Sequence, residues 1–313
     1  MMKNHSLLQR PVLRVPFIVL ATLMLLASCE KAVFDDVEKP DTPEKPATDG
    51  QVTLTFNVSQ VEAATFGQTN QQSRATEASK VCSRINLALY QDGERVKYVN
   101  QKAEDSGFGK ISLTVPAGSY RLVVLAHSCD GNATMTALNK ITFPNNKVTD
   151  TFYYMADITA DKDATQELLL HRIVAMVRFV LKDAIPASVT RMKFYYTGGS
   201  STLDGNTGLG CVNSKQTEYR DVQSHDAGAR FEVYTMPHDK SGVLKMNVQA
   251  LDAADNVVQE QVFDEVPVTT NAITEYTGDF FGSKAEEGGG SSGASSFTLM
   301  VDDEWSGTTN YSF

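Results

Sequence analysis

The chain has 313 residues, 42% of them apolar, and its 38 acidic and 28 basic side chains give a formal net charge of −10. This length suggests about two domains, each able to bury a core without metals or disulfides. The acidic balance argues against a general nucleic-acid binder, which needs a basic face to neutralise phosphates. Fifteen Phe, 11 Tyr and 21 Gly among short alternating runs favour a β-rich chain.

The amino terminus has the pattern of an export signal. Basic residues precede an apolar run over 15–26, and Ala27 and Ser28 stand just before Cys29. The run is too short to span a bilayer well, so a permanent transmembrane anchor is the less favoured alternative. The sequence LASC at 26–29 resembles the bacterial lipobox. This resemblance implies that residues 1–28 are removed as a signal peptide and that Cys29 is acylated, with palmitate among its chains.

Residues 29–50 are expected to form a lipidated tether and linker. Glu30, Asp35, Asp36 and Glu38 resemble the acidic stretches that direct some bacterial lipoproteins to the outer cell surface, although a solvated tether explains them equally well. Three Pro residues among charged side chains in the segment KPDTPEKPATDG favour an extended spacer.

Residues 51–171 predict an N-terminal β-sandwich. Apolar and polar residues alternate over 52–58, which indicates a strand with one buried face. Asp92-Gly93 marks a hairpin, and the sequence PAGS at 116–119 marks a turn into another strand. The surrounding sequence VPAGSYRL resembles the corresponding turn in transthyretin-like sandwiches. Short strands near 152–155 and 168–170 complete this predicted unit.

Residues 172–282 predict a second sandwich. The segment 173–181 is apolar at almost every position, as in a strand covered on both faces. Further strands are expected at 192–196, 231–234, 243–251 and 257–263. Between the first two of these, residues 198–210 are expected to form a long polar loop.

The end of the chain has a separate pattern. Residues 283–296 read as a Gly/Ser linker, and 297–313 as a C-terminal tail that contains another strand. An isolated strand leaves its backbone donors and acceptors unpaired, so this one must pair with its own domain or with another molecule. The apolar residues of the tail are Phe297, Leu299, Val301, Trp305, Tyr311 and Phe313.

Catalytic and metal-binding patterns are absent from the sequence. There is no CxxC or HExxH motif, and no G-x-S-x-G nucleophile elbow supports a catalytic Ser. His127 and His171 are expected to be structural imidazoles, and the acidic run at 302–304 suits a solvated turn better than a calcium loop. We therefore expect no enzymatic activity, no metal and no cofactor.

Three cysteines lie beyond the lipobox, namely Cys82, Cys129 and Cys211. An odd number in an exported protein allows at most one internal bridge. Cys82 and Cys129 lie near predicted strands of one domain and could form a disulfide, but buried free thiols explain them at least as well.

Several segments together are similar to the fimbrium anchoring-subunit family of Bacteroidales. They are the lipobox, GSYRLVVLAH at 118–127, RIVAMVRF at 172–179, MKFYY at 192–196 and VPVTTNAITEYTG at 266–278. The resemblance implies two transthyretin-like domains in series and no enzymatic activity. It also implies a lipid-anchored place at the outer membrane in a type V pilus, with fimbrial stalk subunits as partners.

The resemblance further implies donor-strand exchange, in which a C-terminal strand fills a groove in a neighbouring subunit. Residues 52–58 would be a first strand that the anchor retains, and Phe297 to Val301 would be the donor, with Trp305, Tyr311 and Phe313 as further contacts. The alternative is that the tail folds back on the second domain.

Two other functions stay open from the sequence. Arg74 lies in a polar stretch after the first strand, and cleavage there would release that strand and make the chain a polymerising or tip subunit. A glycan-binding surface lipoprotein would also carry serial sandwiches behind a lipobox, although a single Trp counts against an aromatic sugar platform.

Overall fold

The computed structural model describes residues 50–62, 75–282, 296–303 and 307–310. These residues belong to one compact unit, Lys45–Phe313. The predicted signal peptide, Cys29 and the tether up to residue 49 lie outside the described residues. The same holds for Arg74, for most of the Gly/Ser linker, and for three aromatic residues of the tail, Trp305, Tyr311 and Phe313.

The described residues are mostly β-strands, which confirms the predicted all-β class. In chain order the strands are β1 (Gln51–Glu62), β2 (Ala75–Glu77), β3 (Arg84–Gln91), β4 (Glu94–Lys102), β5 (Lys110–Pro116), β6 (Gly118–His127), β7 (Thr134–Ala137), β8 (Lys140–Thr142), β9 (Thr151–Ala160), β10 (Ala164–Arg172), β11 (Ala175–Leu181), β12 (Val189–Gly199), β13 (Thr202–Asp204), β14 (Leu209–Gly210), β15 (Ser214–Asp221), β16 (Arg230–Thr235), β17 (Ser241–Asp252), β18 (Val257–Thr269), β19 (Ile273–Asp279), β20 (Ser296–Asp303) and β21 (Gly307–Asn310). A helical turn α1 (Ala78–Val81) and a 3₁₀ turn (Pro144–Asn146) lie between strands.

The first half of the chain forms one bent sheet with the strand order β2-β1-β10-β9-β6-β3-β4, and β5 pairs with β1. The sheet turns at the short contact between β9 and β10. Apolar side chains from β1, β5 and β10 then share one core cluster with those from β3, β6 and β9. The predicted hairpin is confirmed, because Asp92 and Gly93 both adopt the positive φ that a tight β3–β4 turn requires.

The segment that joins β5 to β6 changes layers instead of forming a hairpin. β5 pairs with β1, whereas β6 pairs with β3 and β9. The Tyr120 hydroxyl donates to the main-chain oxygen of Pro116 at 2.7 Å. This hydrogen bond holds the connection between β5 and β6 in place, as a conserved tyrosine does in immunoglobulin-type sandwiches.

The second half contains two facing sheets. Their strand orders are β16-β11-β19-β20-β21 and β15-β12-β17-β18, and inward side chains of β11, β12, β16, β17, β18 and β19 form a second core cluster. Phe179 is central there, since its ring lies 5.2 Å from that of Phe263 and 5.5 Å from that of Tyr276.

A third core cluster joins the two halves. It contains the second face of β3 and β6, together with Met176 of β11, Leu203 of β13 and Ile273 of β19. A small sheet of order β14-β13-β8-β7 lies against it, and there Thr202 and Leu203 pair with Thr142 and Ile141. Strands from the first half of the chain, β7 and β8, therefore share one sheet with β13 and β14 from the second half.

This shared sheet corrects the sequence analysis in one place. The expectation of a polar loop over 198–210 is wrong, because that segment forms β13 and β14 and buries Leu203 completely. The polar residues Ser200, Ser201 and Thr202 are buried as well. The physical reason is the pairing with β8, a partner about 60 residues away that local periodicity does not reveal.

Candidate functional site

The first candidate site is the slot between β5 and β10 that β1 fills. β1 pairs antiparallel with β5 from Gln51↔Pro116 to Asn57↔Lys110, and parallel with β10. Its inward side chains are almost fully buried, namely Val52, Leu54, Phe56, Val58 and Val61. Both edges of β1 are therefore paired, and one of its faces is buried. The alternation over 52–58 predicted the buried face.

Polar side chains on the other face of β1 bind both neighbours. Thr55 shares a 2.8 Å hydrogen bond with Ser112 of β5. The Asn57 amide donates to Glu167 of β10 at 2.5 Å. These cross-strand contacts tie β1 into the sheet in addition to its main-chain ladder.

The start of β2 lies beside the end of β1. The two strands pair antiparallel, with Val61 opposite Thr76 and Glu62 opposite Ala75. Arg74 directly precedes this short ladder in the sequence, and its own position lies outside the described residues. A chain cut after Arg74 would therefore begin at β2, next to the strand that the cut would release.

The second candidate site is the edge of β19, where the C-terminal strand lies. β20 pairs antiparallel with β19 over seven consecutive residues, from Ile273↔Asp302 to Asp279↔Ser296, and β21 pairs with β20. The structure thus has the arrangement that the sequence analysis gave as the alternative, with the tail beside its own second half. A donor role for Phe297 to Val301 stays a prediction.

The register of this pairing matches the pattern of the tail. Its apolar positions Phe297, Leu299 and Val301 stand opposite Gly278, Tyr276 and Thr274 of β19. Those β19 positions are in turn opposite Leu181, Phe179 and Val177 of β11, which belong to the second core cluster. The alternation of the tail is therefore in phase with the inward face of the sheet it joins.

The opposite edge strand of the same sheet is β16. Side chains from β12 and β15 form hydrogen bonds to its main-chain oxygens. The Tyr196 hydroxyl contacts the main-chain oxygen of Tyr234 and a carboxylate oxygen of Glu218, each at 2.9 Å. Arg220 donates from Nε to the main-chain oxygen of Glu232 at 3.1 Å and from a second nitrogen to Glu218. Two β16 carbonyls thus already have partners.

This side-chain closure is buried. Tyr196 and Glu218 are 1% and 2% exposed. Burial, and then the charge and hydrogen bond of Glu218, raise the pKa of Tyr196 well above its ordinary value, so the hydroxyl stays protonated as the donor. Sequence reasoning missed these residues, since only the alternation of Glu218 with Arg220 hints that β15 presents polar groups to the interior.

The described cysteines and the two histidines expected to be structural differ in burial. Cys82 and Cys129 are buried free thiols and Cys211 is an exposed one, so the predicted alternative of free thiols holds in the structure. His127 is buried as expected, with its Nε2 atom 2.7 Å from Asn86 Oδ1, whereas His171 is exposed. Within the described ranges no cluster of His, Cys, Asp or Glu could hold a metal ion.

No helix among the described residues has the length and apolar character needed to cross a membrane.

Solved structures of several bacterial proteins match this chain over most of its length. The fimbrial anchor protein Mfa2 from Porphyromonas gingivalis is 10% identical, with a TM-score of 0.44, and the match covers 84% of this chain and 100% of that one. A fimbrial assembly protein from Parabacteroides distasonis is 11% identical, with a TM-score of 0.38 over 80% and 94% of the two chains. A proposed adhesin from Bacteroides ovatus is 13% identical, with a TM-score of 0.46 over 74% and 88%.

The search of curated proteins found no significant match. The sequence profile of the fimbrillin-A associated anchor proteins Mfa1 and Mfa2 matches residues 39–300, which is most of the chain. The chain therefore belongs to the family of fimbrillin-A associated anchor proteins.

Proposed function

We propose that this protein is a non-enzymatic, lipid-anchored outer-membrane component of a fimbrium that binds another fimbrial subunit through its C-terminal strand. Its family consists of fimbrial anchor proteins, which supports a place at the cell surface. The observation that carries the proposal is the register of β20, since three alternate apolar residues of the tail stand opposite inward positions of β19. A strand with this pattern can supply both main-chain bonds and pocket-filling side chains to an acceptor.

The occupied slot of β1 supports the proposal that this subunit stands at one end of the fibre. Five buried apolar side chains each contribute roughly 1.5 to 3 kcal/mol when removed from water, and the strand also pairs on both edges. While β1 stays in place, no neighbour can insert a strand there. The subunit would therefore donate a strand without accepting one at this slot, as an anchor or cap does.

The location of the tail beside β19 supports an exchange. In the free subunit β20 satisfies the main-chain groups of β19. In the fibre the same strand would leave this edge and enter a groove of the stalk subunit, with Trp305, Tyr311 and Phe313 as further contacts. The free form is thereby protected from aggregation through an open sheet edge.

The membrane attachment and the domain division belong to the same proposal. Cys29 would carry the acyl chains after removal of residues 1–28, and 29–50 would hold the folded part away from the membrane. The two halves, 51–171 and 172–282, would each be a transthyretin-like sandwich. Cleavage after Arg74 is the competing possibility, and it would convert the protein to a polymerising or tip subunit.

Removal of the tail tests the strand site. A chain that ends at Gly282 leaves the β19 edge open, and a labelled peptide with the sequence of 296–303, SFTLMVDD, should then bind it. The full-length chain should bind the peptide at least about tenfold more weakly, because its own tail occupies the edge. Fluorescence anisotropy measures both affinities.

Two substituted peptides provide the matched comparison. The peptide with Phe297→Ser, Leu299→Ser and Val301→Ser should lose binding, because these positions stand opposite inward positions of β19. The peptide with Thr298→Ser and Met300→Ser should keep most of it. Equal loss in both peptides, or no binding of the native peptide to the shortened chain, would contradict a register-specific strand site.

A further inference from the structure

A cleft of about 590 Å³ opens at one end of the first sheet. We call it the turn cleft. Chain segments that are distant in sequence meet there, including the β3–β4 turn, the start of β6, the β7–β8 turn, β9 and the β13–β14 turn. The side chains that matter here are Gln91, Ser119, Arg121, Asn139, Asp157 and Asn206.

Arg121 and Asp157 form the charged centre of the turn cleft. Nε of Arg121 donates to Asp157 Oδ1 at 2.7 Å, and an outer nitrogen donates to Oδ2 at 2.9 Å. The hydrogen bonds from Arg121 lower the pKa of Asp157, which keeps the carboxylate ionised. The other outer nitrogen donates to Asn206 Oδ1 at 2.9 Å. Since a guanidinium has five N–H donors, two remain for a ligand.

The second half of the chain sets the geometry of this centre. Asn206 lies in the β13–β14 turn, where its main-chain and side-chain nitrogens donate to Asp204 Oδ1 at 2.8 and 2.9 Å. The Tyr153 hydroxyl holds the same turn by donating to the Gly205 oxygen at 2.8 Å. Arg121 is thus oriented on two sides before any ligand arrives, and such preorganisation reduces the entropy lost on binding.

Two exposed amides complete the donor and acceptor set. Within the described residues, the side chains of Gln91 and Asn139 make no hydrogen bond, and both line the turn cleft. Each amide can donate and accept at once. The hydroxyl of Ser119 adds a third group of this kind.

We propose that the turn cleft binds a neutral oligosaccharide of two or three sugar units. Paired hydroxyls on a sugar ring can accept from the free N–H groups of Arg121 and donate to Asp157, while the amides contact neighbouring hydroxyls. The charged lining residues are Asp92, Arg121 and Asp157, which sum to one net negative charge and disfavour anionic ligands. The volume falls within the usual range for small-molecule sites.

The aromatic residues that line the turn cleft determine the affinity expected for a sugar ligand. Tyr90 and Tyr120 border the cleft but are buried, at 1% and 4% exposure, and their hydroxyls already donate to main-chain oxygens. Neither ring offers an open face for stacking a sugar. Affinity should therefore be in the millimolar range, as suits a surface that gains strength from many copies along a cell surface.

Titration of the full chain in detergent with maltotriose, cellotriose and, as an anionic comparison, trigalacturonic acid tests the proposal. Ligand-observed NMR should detect binding of a neutral trisaccharide at about 10 mM, the range suited to millimolar affinity. The double variant Gln91→Ala, Asn139→Ala should weaken it about three- to tenfold through lost hydrogen bonds. Gln223→Ala, an exposed amide in a different cleft, should have no effect.

Three results would overturn the proposal. They are the absence of binding by both neutral trisaccharides, tighter binding of the anionic one, and unchanged affinity in the double variant. The variant should keep the unfolding temperature of the parent, because neither amide bonds to the rest of the described structure. None of these outcomes depends on the tail, so the test is independent of the proposed fimbrial role.

Discussion

Arg172 and Asp150 form a two-point ion pair where the two halves of the chain meet. Nε of Arg172 lies 2.6 Å from Asp150 Oδ1 and an outer nitrogen lies 2.8 Å from Oδ2. The third nitrogen donates to Asn271 at 3.2 Å, and the guanidinium lies 4.8 Å from the centre of the Phe152 ring. One buried cation thus connects β9, β10 and the turn before β19.

Loss of this cation should destabilise the protein. Arg172→Ala leaves Asp150 without its buried partner and should lower the free energy of unfolding by about 3 kcal/mol. Arg121→Ala is the matched control, since it breaks a similar two-point pair in which the side chains are 35% and 70% exposed. It should cost much less, because solvent screens the exposed pair. Urea unfolding measures both, and equal costs would show that burial of Arg172 does not matter.

His127 predicts a loss of stability in mild acid. Its Nδ1 atom accepts from the main-chain N–H of Cys129 at 3.1 Å, so its Nε2 atom must carry the proton and donate to Asn86 Oδ1. This neutral form has no free site for a second proton. Burial, with a smaller effect of Arg84, lowers the pKa of His127 from 6.5 to about 4.

The direction in which pH changes the free energy of unfolding follows from proton binding. Between pH 6.5 and 4 the unfolded chain takes up a proton at this imidazole and the folded chain does not, so acid favours unfolding in that window. The free energy of unfolding should fall by on the order of 3 kcal/mol across it. His127→Gln should flatten the profile from pH 6.5 to 4. A profile equally steep in the variant would assign the pH dependence to other groups.

Gly198 should tolerate no side chain. Its φ is +95°, and an added Cβ would lie 2.4 Å from the main-chain oxygen of Val243. Gly228 provides the matched control, with a φ of +91° and nothing within 4 Å of an added Cβ. Both alanine variants incur the strain of a left-handed backbone, roughly 1–2 kcal/mol, but only Gly198→Ala meets a backbone clash. Its melting temperature should fall further than that of Gly228→Ala.

The cysteines should differ in reactivity. In native protein a thiol reagent should modify Cys211 and leave Cys82 and Cys129 intact, since those two are buried free thiols and burial raises the pKa of both. In denaturant all three should react without prior reduction. Mass spectrometry of the labelled peptides checks this. Failure of Cys82 and Cys129 to react in denaturant unless a reductant is added would reveal a disulfide.

Local sequence patterns were enough for many elements of the fold. The alternation over 52–58 predicted β1, and Asp92-Gly93 predicted the β3–β4 turn, because both depend on side-chain period and turn chemistry alone. The run over 173–181 predicted a strand buried on both faces. The structure adds the reason, since Val177 and Phe179 face the second core cluster while Met176 faces the third.

Elements that depend on distant partners were missed. β8 and β13 are three residues each, and besides the neighbouring β7 and β14 they pair with each other across distant parts of the chain. β15 buries Gln216 and Glu218 on its inward face, so its hydrophobic pattern is absent. The register of β20 on β19 likewise depends on two segments separated by a linker, which a single sequence does not specify.

The most direct test of the proposed anchor is mass spectrometry of the protein isolated from intact surface fibres after chemical cross-linking. We predict an acylated Cys29 at the N-terminus, with residues 51–62 still attached and the tail from 297 to 313 cross-linked to another subunit. An N-terminus at Ala75 would contradict it by making the chain a polymerising subunit. A tail cross-linked only to its own second half would contradict strand donation.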